Sequence, residues 1–256
     1  MIGISDIDDP RVSEFRSLKG KNLLRKNLMV VEGEKVVLKL LKSSIKITKI
    51  FAPKTFIEKH PLRGEIFFAD KSVMGSIVGH HLHQGIMALA VRPEDVSLRA
   101  LEFPALILNG VTSPENIGSI IRSAAAFKVK SIIVGPKSCS PYLRRCIRVS
   151  MGNIFSMDIH HSNDLQETLR DLKTRGIKIF ATANIEGACD LPEMSFNKDS
   201  ALVIGSEGLG IEKYLIELCD IVVRIPIDSE VAHLNVGTAT SIFLYKLHQD
   251  LLKSSH

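Results

Sequence analysis

Short apolar runs alternate with helix-like segments from residue 105 onward, and this alternation restricts the fold more than any other feature of the chain. The apolar runs read ALILN, SIIVG, FSMDI, IKIFAT, ALVIG and DIVVRIP, with helical patterns over residues 116–127, 141–150, 164–175 and 236–252. Such alternation is typical of an α/β fold with a largely parallel, doubly wound sheet. Because ligands of these sheets bind at the carboxyl ends of strands, we predict a functional site in the loops after ALILN, ALVIG and VVRIP.

A smaller segment of different character comes first. Between residues 27 and 91, the runs LMVVEG, KITKIFA, EIFFAD and GIMALAV accompany the helical pattern EKVVLKLLKSS, in which Val36, Val37, Leu40 and Leu41 share one face. This pattern predicts a small α/β unit. The stretch RPEDVSLRALEFP is polar, bracketed by prolines and without clear period, as in a linker. We therefore expect a first domain over residues 1–92, a linker over 93–104 and a second domain over 105–256.

Basic residues are concentrated in the first part of the chain. Residues 1–100 contain 17 Lys and Arg against 11 Asp and Glu, and residues 11–59 contain 13 against 4. Such a cluster is typical of a surface that contacts nucleic-acid phosphates, although a solvated basic face remains the alternative. No long uncharged apolar window or secretion signal occurs, so we expect a cytoplasmic protein without a membrane span.

Metal and disulfide sites are weakly indicated. The four cysteines form no C-x-x-C pair, so we expect reduced thiols. HHLH, at residues 80–83, has three histidines without accompanying cysteine or carboxylate ligands, so a polar loop is favoured over a metal site. No G-x-G-x-x-G follows the first strand of the second domain, and no P-loop occurs, so neither a standard dinucleotide-binding fold nor a P-loop site is supported.

The stretch ENIGSIIRSAAAF places one arginine in a helix that otherwise suits packing. Upstream, Thr112 and Glu115 have capping-box spacing and Pro114 suits a first turn, so the helix is predicted to start near residue 113. Asn116 is then not needed as a cap. Arg122 lies one turn after a glycine, on the same helix face. Two interpretations stay open at this point, a solvated helix face and a functional site.

Two further polar residues follow apolar runs. Glu207 lies in the glycine-rich GSEGLG, where a carboxylate has little packing value and where backbone amides can approach a ligand. A solvated loop is the alternative for Glu207. Asn235 precedes the last predicted helix, and on spacing alone it is interpreted as the cap of that helix.

Three segments together resemble a known family. LNGVTSPENIGSIIRSAAAF, ALVIGSEGLGI and VRIPIDSEVAHLNVGTATSIFLYKL are similar, in order and spacing, to the three motifs of the SpoU/TrmH RNA ribose methyltransferases, and residues 11–90 resemble the ribosomal-protein-like RNA-binding domain that many members carry in front. The resemblance implies a SPOUT-type α/β domain with a deep trefoil knot, usually a homodimer. It also implies methyl transfer from S-adenosylmethionine to a ribose 2′-oxygen of structured RNA, with no metal.

The resemblance also assigns residues. It implies that the catalytic positions are Asn116, Arg122, Glu207 and Asn235, and that the cofactor contacts Gly205, Gly208, Ile225, Ile227 and Leu234. Arg122 has a fixed positive charge that suits oxyanion stabilisation or phosphate contact, but its high pKa makes it a poor general base. The proton acceptor stays unassigned.

The chain departs from the family at two positions of the third motif. His233 and Gly237 stand where members commonly have serine. His233 can itself carry a proton, which leaves the proton path open, although a polar substitution without a role is the favoured interpretation. Ribosomal RNA is the first expected partner and transfer RNA the second. A base-methylating enzyme on a related scaffold and a non-catalytic RNA-binding assembly factor remain the alternative functions.

Overall fold

The chain forms two compact units in the computed structural model, which describes residues 1–16, 18, 23–79 and 85–254. One unit comprises Met1–Glu94 with Pro141–Phe155, and the other comprises Asp95–Ser140 with Ser156–His256. The candidate HHLH lies outside the described residues. In the described part of the chain, no helix is both long and apolar enough to cross a membrane.

The first unit contains a five-stranded mixed sheet. The strands are β1 (Ile2–Gly3), β2 (Leu28–Glu32), β3 (Ile47–Phe51), β4 (Glu65–Phe68) and β5 (Met87–Val91), and the helices are α1 (Glu34–Leu41), α2 (Lys54–Ile57) and α3 (Lys71–Val78). The strands follow the order β1-β4-β3-β5-β2, and β5 runs antiparallel to both β2 and β3. Val36, Val37 and Leu40 are buried as the periodicity predicted, whereas Leu41 is half-buried.

The second sheet has seven strands, and every strand pair in it is parallel, as the alternating pattern predicted. The strands are β6 (Ala105–Leu108), β7 (Ser131–Val134), β8 (Asp158–His161), β9 (Lys178–Thr182), β10 (Cys189–Asp190), β11 (Ser200–Ile204) and β12 (Ile221–Arg224), and they follow the order β10-β12-β9-β11-β6-β7-β8. The helices of this unit are α4 (Pro114–Ala126), α6 (Leu165–Thr174), α7 (Lys213–Ile216) and α8 (Val236–Ser254), whereas α5 (Arg144–Val149) belongs with the first unit.

Both faces of this sheet are buried. Ile107, Ile133 and Val203 pack with side chains of α6 and α7 in one apolar cluster. Side chains alternate along a strand, so Leu106 and Leu202 point to the opposite face, where they too are fully buried. The helices α4 and α8 pack along each other. All strands end at one edge of the sheet, which brings the loops after β6, β11 and β12 to the same edge.

The structure differs from the predicted organisation in two places. The predicted linker is ordered and packed, because Val96, Leu98 and Phe103 join the apolar cluster under α6. Residues 141–155, counted in the predicted second domain, belong with the first unit. An ion pair explains part of this grouping, since Glu32 on β2 accepts from Arg144 at 2.5 Å. The proposed boundary at residues 93–104 therefore stays a prediction.

Candidate active site

Three polar side chains from the three motif loops meet at the carboxyl edge of the parallel sheet. Asn116 Nδ2 donates to Glu207 Oε1 at 2.6 Å, and Asn235 Nδ2 donates to the same oxygen at 2.9 Å. Asn235 Nδ2 also donates to Asn116 Oδ1 at 3.0 Å. The three residues form a closed set of hydrogen bonds although they are far apart in sequence, and we call this set the polar cluster (Asn116, Glu207, Asn235).

The start of α4 places Asn116 in this cluster. Ser113 is the cap, since its Oγ accepts from the Asn116 backbone N–H at 3.4 Å, and Pro114 follows at the first helical position. The helix thus begins where it was predicted to begin, but the capping residue is Ser113 rather than Thr112. Because a hydroxyl already accepts from the first turn, the buried Asn116 side chain has both ends available for the cluster.

Asn235 both caps α8 and belongs to the polar cluster. Its Oδ1 accepts from the backbone N–H groups of Gly237 at 2.9 Å and Thr238 at 3.3 Å, which caps α8. Its Nδ2 faces the other way, into the polar cluster. A Cβ added at Gly237 would lie 3.0 Å from Ser119 Oγ and 3.2 Å from Asn235 Oδ1. The glycine therefore lets the start of α8 lie close against α4.

Glu207 lies on a tight loop after β11, here called the Glu207 loop (residues 205–211). Reciprocal backbone hydrogen bonds close it, from Ser206 N to Gly210 O at 3.1 Å and from Gly210 N to Ser206 O at 3.0 Å. At Gly205 an added Cβ would meet the Gly210 carbonyl carbon at 2.4 Å. Glycine is therefore required at position 205 by the loop's own backbone, whereas open space surrounds the corresponding point at Gly208.

A cavity of about 380 Å³ opens beside the polar cluster. Its walls are largely apolar, and Glu207 and His233 lie among the polar residues that line it. All five residues predicted to contact a cofactor line this cavity: Gly205, Gly208, Ile225, Ile227 and Leu234. Leu209, at the tip of the Glu207 loop, is 91% exposed at the cavity's edge.

The loop after β9 was missed as a site element. Asn184 and Ile185 line the same cavity, beside Thr182 at the end of β9, yet no residue of that loop was predicted to belong to the site. The available signal was topological rather than chemical. In the sheet, β9 lies between β12 and β11, so its carboxyl end falls between the loops that were predicted to carry the site.

Arg122 is not joined to the polar cluster within one chain. It follows Asn116 by six residues on α4, which is about 240° around the helix. The side chain is exposed, and it makes no hydrogen bond or ion pair with any residue in the described ranges. The structure therefore brings Asn116, Glu207 and Asn235 together but leaves Arg122 on another side of α4.

A second polar group adjoins the Glu207 loop. Glu212, directly after the loop, accepts from Lys137 Nζ at 2.6 Å, from Asn109 Nδ2 at 3.1 Å and from Tyr214 OH at 3.1 Å. The Lys137 hydrogen bond, helped by Asn109, lowers the pKa of the Glu212 carboxyl below its ordinary value, and the same bond raises the pKa of Lys137. Partial burial, followed by the Glu212 contact, raises the pKa of Tyr214.

Comparison with known proteins gives the family of this chain. The SpoU rRNA Methylase family model matches residues 104–245, more than half of the chain. An uncharacterized tRNA/rRNA methyltransferase of Mycobacterium bovis is 31% identical over 259 residues, covering 95% of this chain and 90% of the relative. The chain therefore belongs to the SpoU rRNA methylase family.

Two further matches extend over almost the whole chain. The 23S rRNA (guanosine(2553)-2′-O)-methyltransferase RlmP of Bacillus subtilis is 26% identical over 247 residues, covering 95% of this chain and 98% of that protein. The crystal structure of an AdoMet-bound rRNA methyltransferase from Sinorhizobium meliloti superimposes with a TM-score of 0.85 at 24% identity, covering 97% of this chain and 98% of that one. The α/β fold with a parallel sheet is thus that of SpoU methyltransferase structures.

Proposed function

We propose that the chain is an S-adenosylmethionine-dependent methyltransferase that methylates a ribose 2′-hydroxyl in structured ribosomal RNA. The observation that carries the proposal is the polar cluster of Asn116, Glu207 and Asn235 at the rim of a ligand-sized cavity. Membership of the SpoU rRNA methylase family supports methyl transfer as the reaction that this geometry serves. The Bacillus subtilis relative is named as a 23S rRNA 2′-O-methyltransferase, which supports ribosomal RNA before transfer RNA.

The cavity fits the proposed cofactor in size and lining. About 380 Å³ lies within the range of small-molecule sites. Ile225, Ile227 and Leu234 offer apolar contact for an adenosine, and the backbone at Gly205 and Gly208 offers polar groups without intervening side chains. When bound, S-adenosylmethionine supplies a methyl group on a positively charged sulfur.

The polar cluster suits the positioning of a hydroxyl next to that cavity. Two amide N–H groups occupy Glu207 Oε1, and within the described residues Oε2 accepts no hydrogen bond. We propose that Oε2 accepts from the ribose 2′-hydroxyl and orients its oxygen for attack. Asn116 and Asn235 hold the carboxylate in one position, which is the requirement for a productive approach of reacting atoms.

Arg122 enters this proposal through a second copy of the chain. Beside it, α4 and α8 present an open concavity of about 370 Å³ lined by Phe127, Ile242 and Tyr245, among others. We propose that a homodimer forms over this face and that the exposed Arg122 reaches the partner's polar cluster. There its permanent charge would contact an RNA phosphate or the developing oxyanion.

The proposal has further parts that follow from family membership. We propose that the second domain carries the trefoil knot and that the protein acts in the cytoplasm without a metal. We also propose that the basic first domain, residues 1–92, holds folded RNA through its phosphates, since 13 basic residues fall between positions 11 and 59.

Methyl transfer to RNA tests the proposal directly. The purified protein is incubated with labelled S-adenosylmethionine and ribosomal or transfer RNA, and the digested nucleosides are separated. A 2′-O-methylated nucleoside from ribosomal RNA is expected. A base-methylated product would favour the related scaffold enzyme, and RNA binding without any transfer would favour an assembly factor.

Paired variants test the role of Arg122. We expect Arg122→Ala to lower kcat about 10²-fold or more, whereas Arg170→Ala, an exposed arginine on α6, leaves it unchanged. Mixing Arg122→Ala with Asn116→Ala subunits should restore about one quarter of the parent rate, because mixed dimers contain one intact site. No recovery in exchanged mixtures, or a parent rate for Arg122→Ala, would contradict the shared site.

A further inference from the structure

Asn109 connects the two ends of the Glu207 loop. It follows β6 directly, and it is buried. Its backbone N–H donates to the carbonyl of Ile204, the last residue before the loop, at 2.8 Å. Its side chain bonds Glu212, the first residue after the loop. Asn109 Nδ2 donates to Glu212 Oε2 at 3.1 Å, and Asn109 Oδ1 accepts from the Glu212 backbone N–H at 3.4 Å. One residue, directly after a neighbouring strand, therefore fixes both ends of the loop.

The Glu212 carboxylate is itself held from several sides. Lys137 Nζ contacts Oε1 at 2.6 Å, and Tyr214 OH contacts Oε2 at 3.1 Å. Hydrogen bonds to an ionised acceptor are shorter and stronger than neutral ones. Because the Asn109 amide reaches a carboxylate that is fixed by its own partners, the downstream end of the loop has little freedom to shift.

We propose that Asn109 and Glu212, together called the loop anchor, are positioning residues that hold Glu207 in the polar cluster. The inference rests on the proposed methyl transfer, whose geometry Glu207 would set. The loop spans only seven residues, and its tip must keep Glu207 Oε1 within 2.6 Å and 2.9 Å of two amide nitrogens. A displacement of about 1 Å at such a site can lower a rate 10²-fold.

The position of the anchor argues against a role limited to stability. The Glu212 side chain is 29% exposed and Lys137 is more exposed still. Ion pairs at such positions contribute little to the free energy of unfolding, since water screens them. Glu212 therefore affects mainly the local order of the loop that the anchor encloses.

A matched carboxylate elsewhere in the same unit provides the control. Asp220 is also 29% exposed and paired with a lysine, Lys173, at 2.9 Å. It also accepts a backbone N–H, from Ile179 at 2.8 Å. Asp220 precedes β12, at the opposite edge of the sheet from the Glu207 loop. Glu212→Gln and Asp220→Asn are thus the same chemical change at the two ends of one sheet.

Kinetics and thermal unfolding separate anchoring from stability. We expect Glu212→Gln and Asn109→Ala to lower kcat about tenfold to a hundredfold, with the KM for RNA close to the parent value. The Tm should stay close to the parent value for Glu212→Gln, whereas Asn109→Ala also removes a buried amide and should lower it. Asp220→Asn should leave kcat unchanged. In a Glu207→Gln background, the Asn109→Ala change should cost no further activity, since the residue it positions is already altered. An equal loss in both backgrounds, or an equal loss in the control, would overturn the proposal.

Amide hydrogen exchange tests the anchor without any activity. We expect Asn109→Ala and Glu212→Gln to speed exchange at Ser206 and Gly210, whose N–H groups close the loop, and Asp220→Asn to leave it unchanged. Unchanged exchange in both anchor variants would refute the inference even in an active enzyme. If the parent protein transferred no methyl group, the proposed function would be wrong, but the exchange measurement would still test the role of the anchor.

Discussion

Replacing Gly205 by alanine introduces a methyl group where the Glu207 loop folds back on itself. The added Cβ would lie 2.4 Å from the carbonyl carbon of Gly210 and 2.6 Å from both the Gly210 oxygen and the Ile211 nitrogen. All three neighbours are backbone atoms, so no side-chain rotation relieves the overlap. Ordinary contact begins at 3.4 Å, so the two backbone segments must separate by about 1 Å.

The cost follows from that separation. Opening the loop by about 1 Å lengthens the Ser206–Gly210 hydrogen bonds, now 3.0 and 3.1 Å, beyond bonding distance. Each lost hydrogen bond costs about 0.5–1.5 kcal/mol, and overpacking costs about 1–3 kcal/mol. Alanine offsets about 0.4–1 kcal/mol of this, because it lowers the conformational entropy of the unfolded chain. The free energy of unfolding should therefore fall by about 3 kcal/mol, or about 6–12 °C in Tm.

Gly208→Ala is the matched control because it lies three residues further along the same loop. Its added Cβ meets nothing within 4 Å, and we expect a change in unfolding free energy within about 0.5 kcal/mol. Thermal unfolding followed by circular dichroism gives both Tm values. Equal Tm values for the two variants and the parent would refute the steric reasoning about Gly205.

Three further outcomes are expected. Asn235→Asp keeps the helix cap but places a second carboxylate against Glu207 Oε1, so kcat should fall at least tenfold at neutral pH with folding preserved; a parent rate in the methyl-transfer assay would contradict this. Lys246→Met leaves the Asp250 carboxylate, 7% exposed, without its 2.7 Å partner and should cost about 3 kcal/mol in urea unfolding, and a cost below about 1 kcal/mol would count against it. The interactions that lower the pKa of Glu212 stabilise the fold above its ordinary pKa, and this stabilisation is lost as the pH falls through the folded value. Because the pair is partly exposed, Glu212→Gln should flatten the loss of unfolding free energy below about pH 4.5 by no more than about 1 kcal/mol, and identical acid titrations of stability would exclude this.

The sequence was sufficient to predict the parallel sheet, but not to predict where the segments around it pack. Alternation of apolar runs and helical patterns is a local property, and it correctly indicated the strands from β6 to β12 apart from the two-residue β10. The strand FSMDI was placed too early, since residues 153–156 form a 3-10 turn and β8 begins at Asp158. Packing of the 93–104 segment and the grouping of residues 141–155 depend on contacts between distant residues, which no local pattern reports.

The site was predictable only in part, for a related reason. The ordered motifs named Asn116, Glu207 and Asn235, but no spacing indicated that one carboxylate oxygen accepts from both asparagines. Gly205 was expected to let a ligand approach, and it does line the cavity, but no pattern indicated that the backbone of Gly210 and Ile211 also excludes a side chain there. Arg122 was expected with the others, and the turn of α4 separates it from them.

The hydrogen bonds of the polar cluster explain why two of its members are asparagines. A carboxamide has an acceptor at one end and a donor at the other. Asn235 uses Oδ1 to cap α8 and Nδ2 to reach both Glu207 and Asn116, and neither aspartate nor serine can do both with the same geometry. Asn116 accepts from Asn235 and donates to Glu207, and it thereby joins α4 to the same set of hydrogen bonds. The start of α8, the start of α4 and the Glu207 loop are therefore fixed by one set of hydrogen bonds. A change in any of the three side chains should alter the positions of the other two.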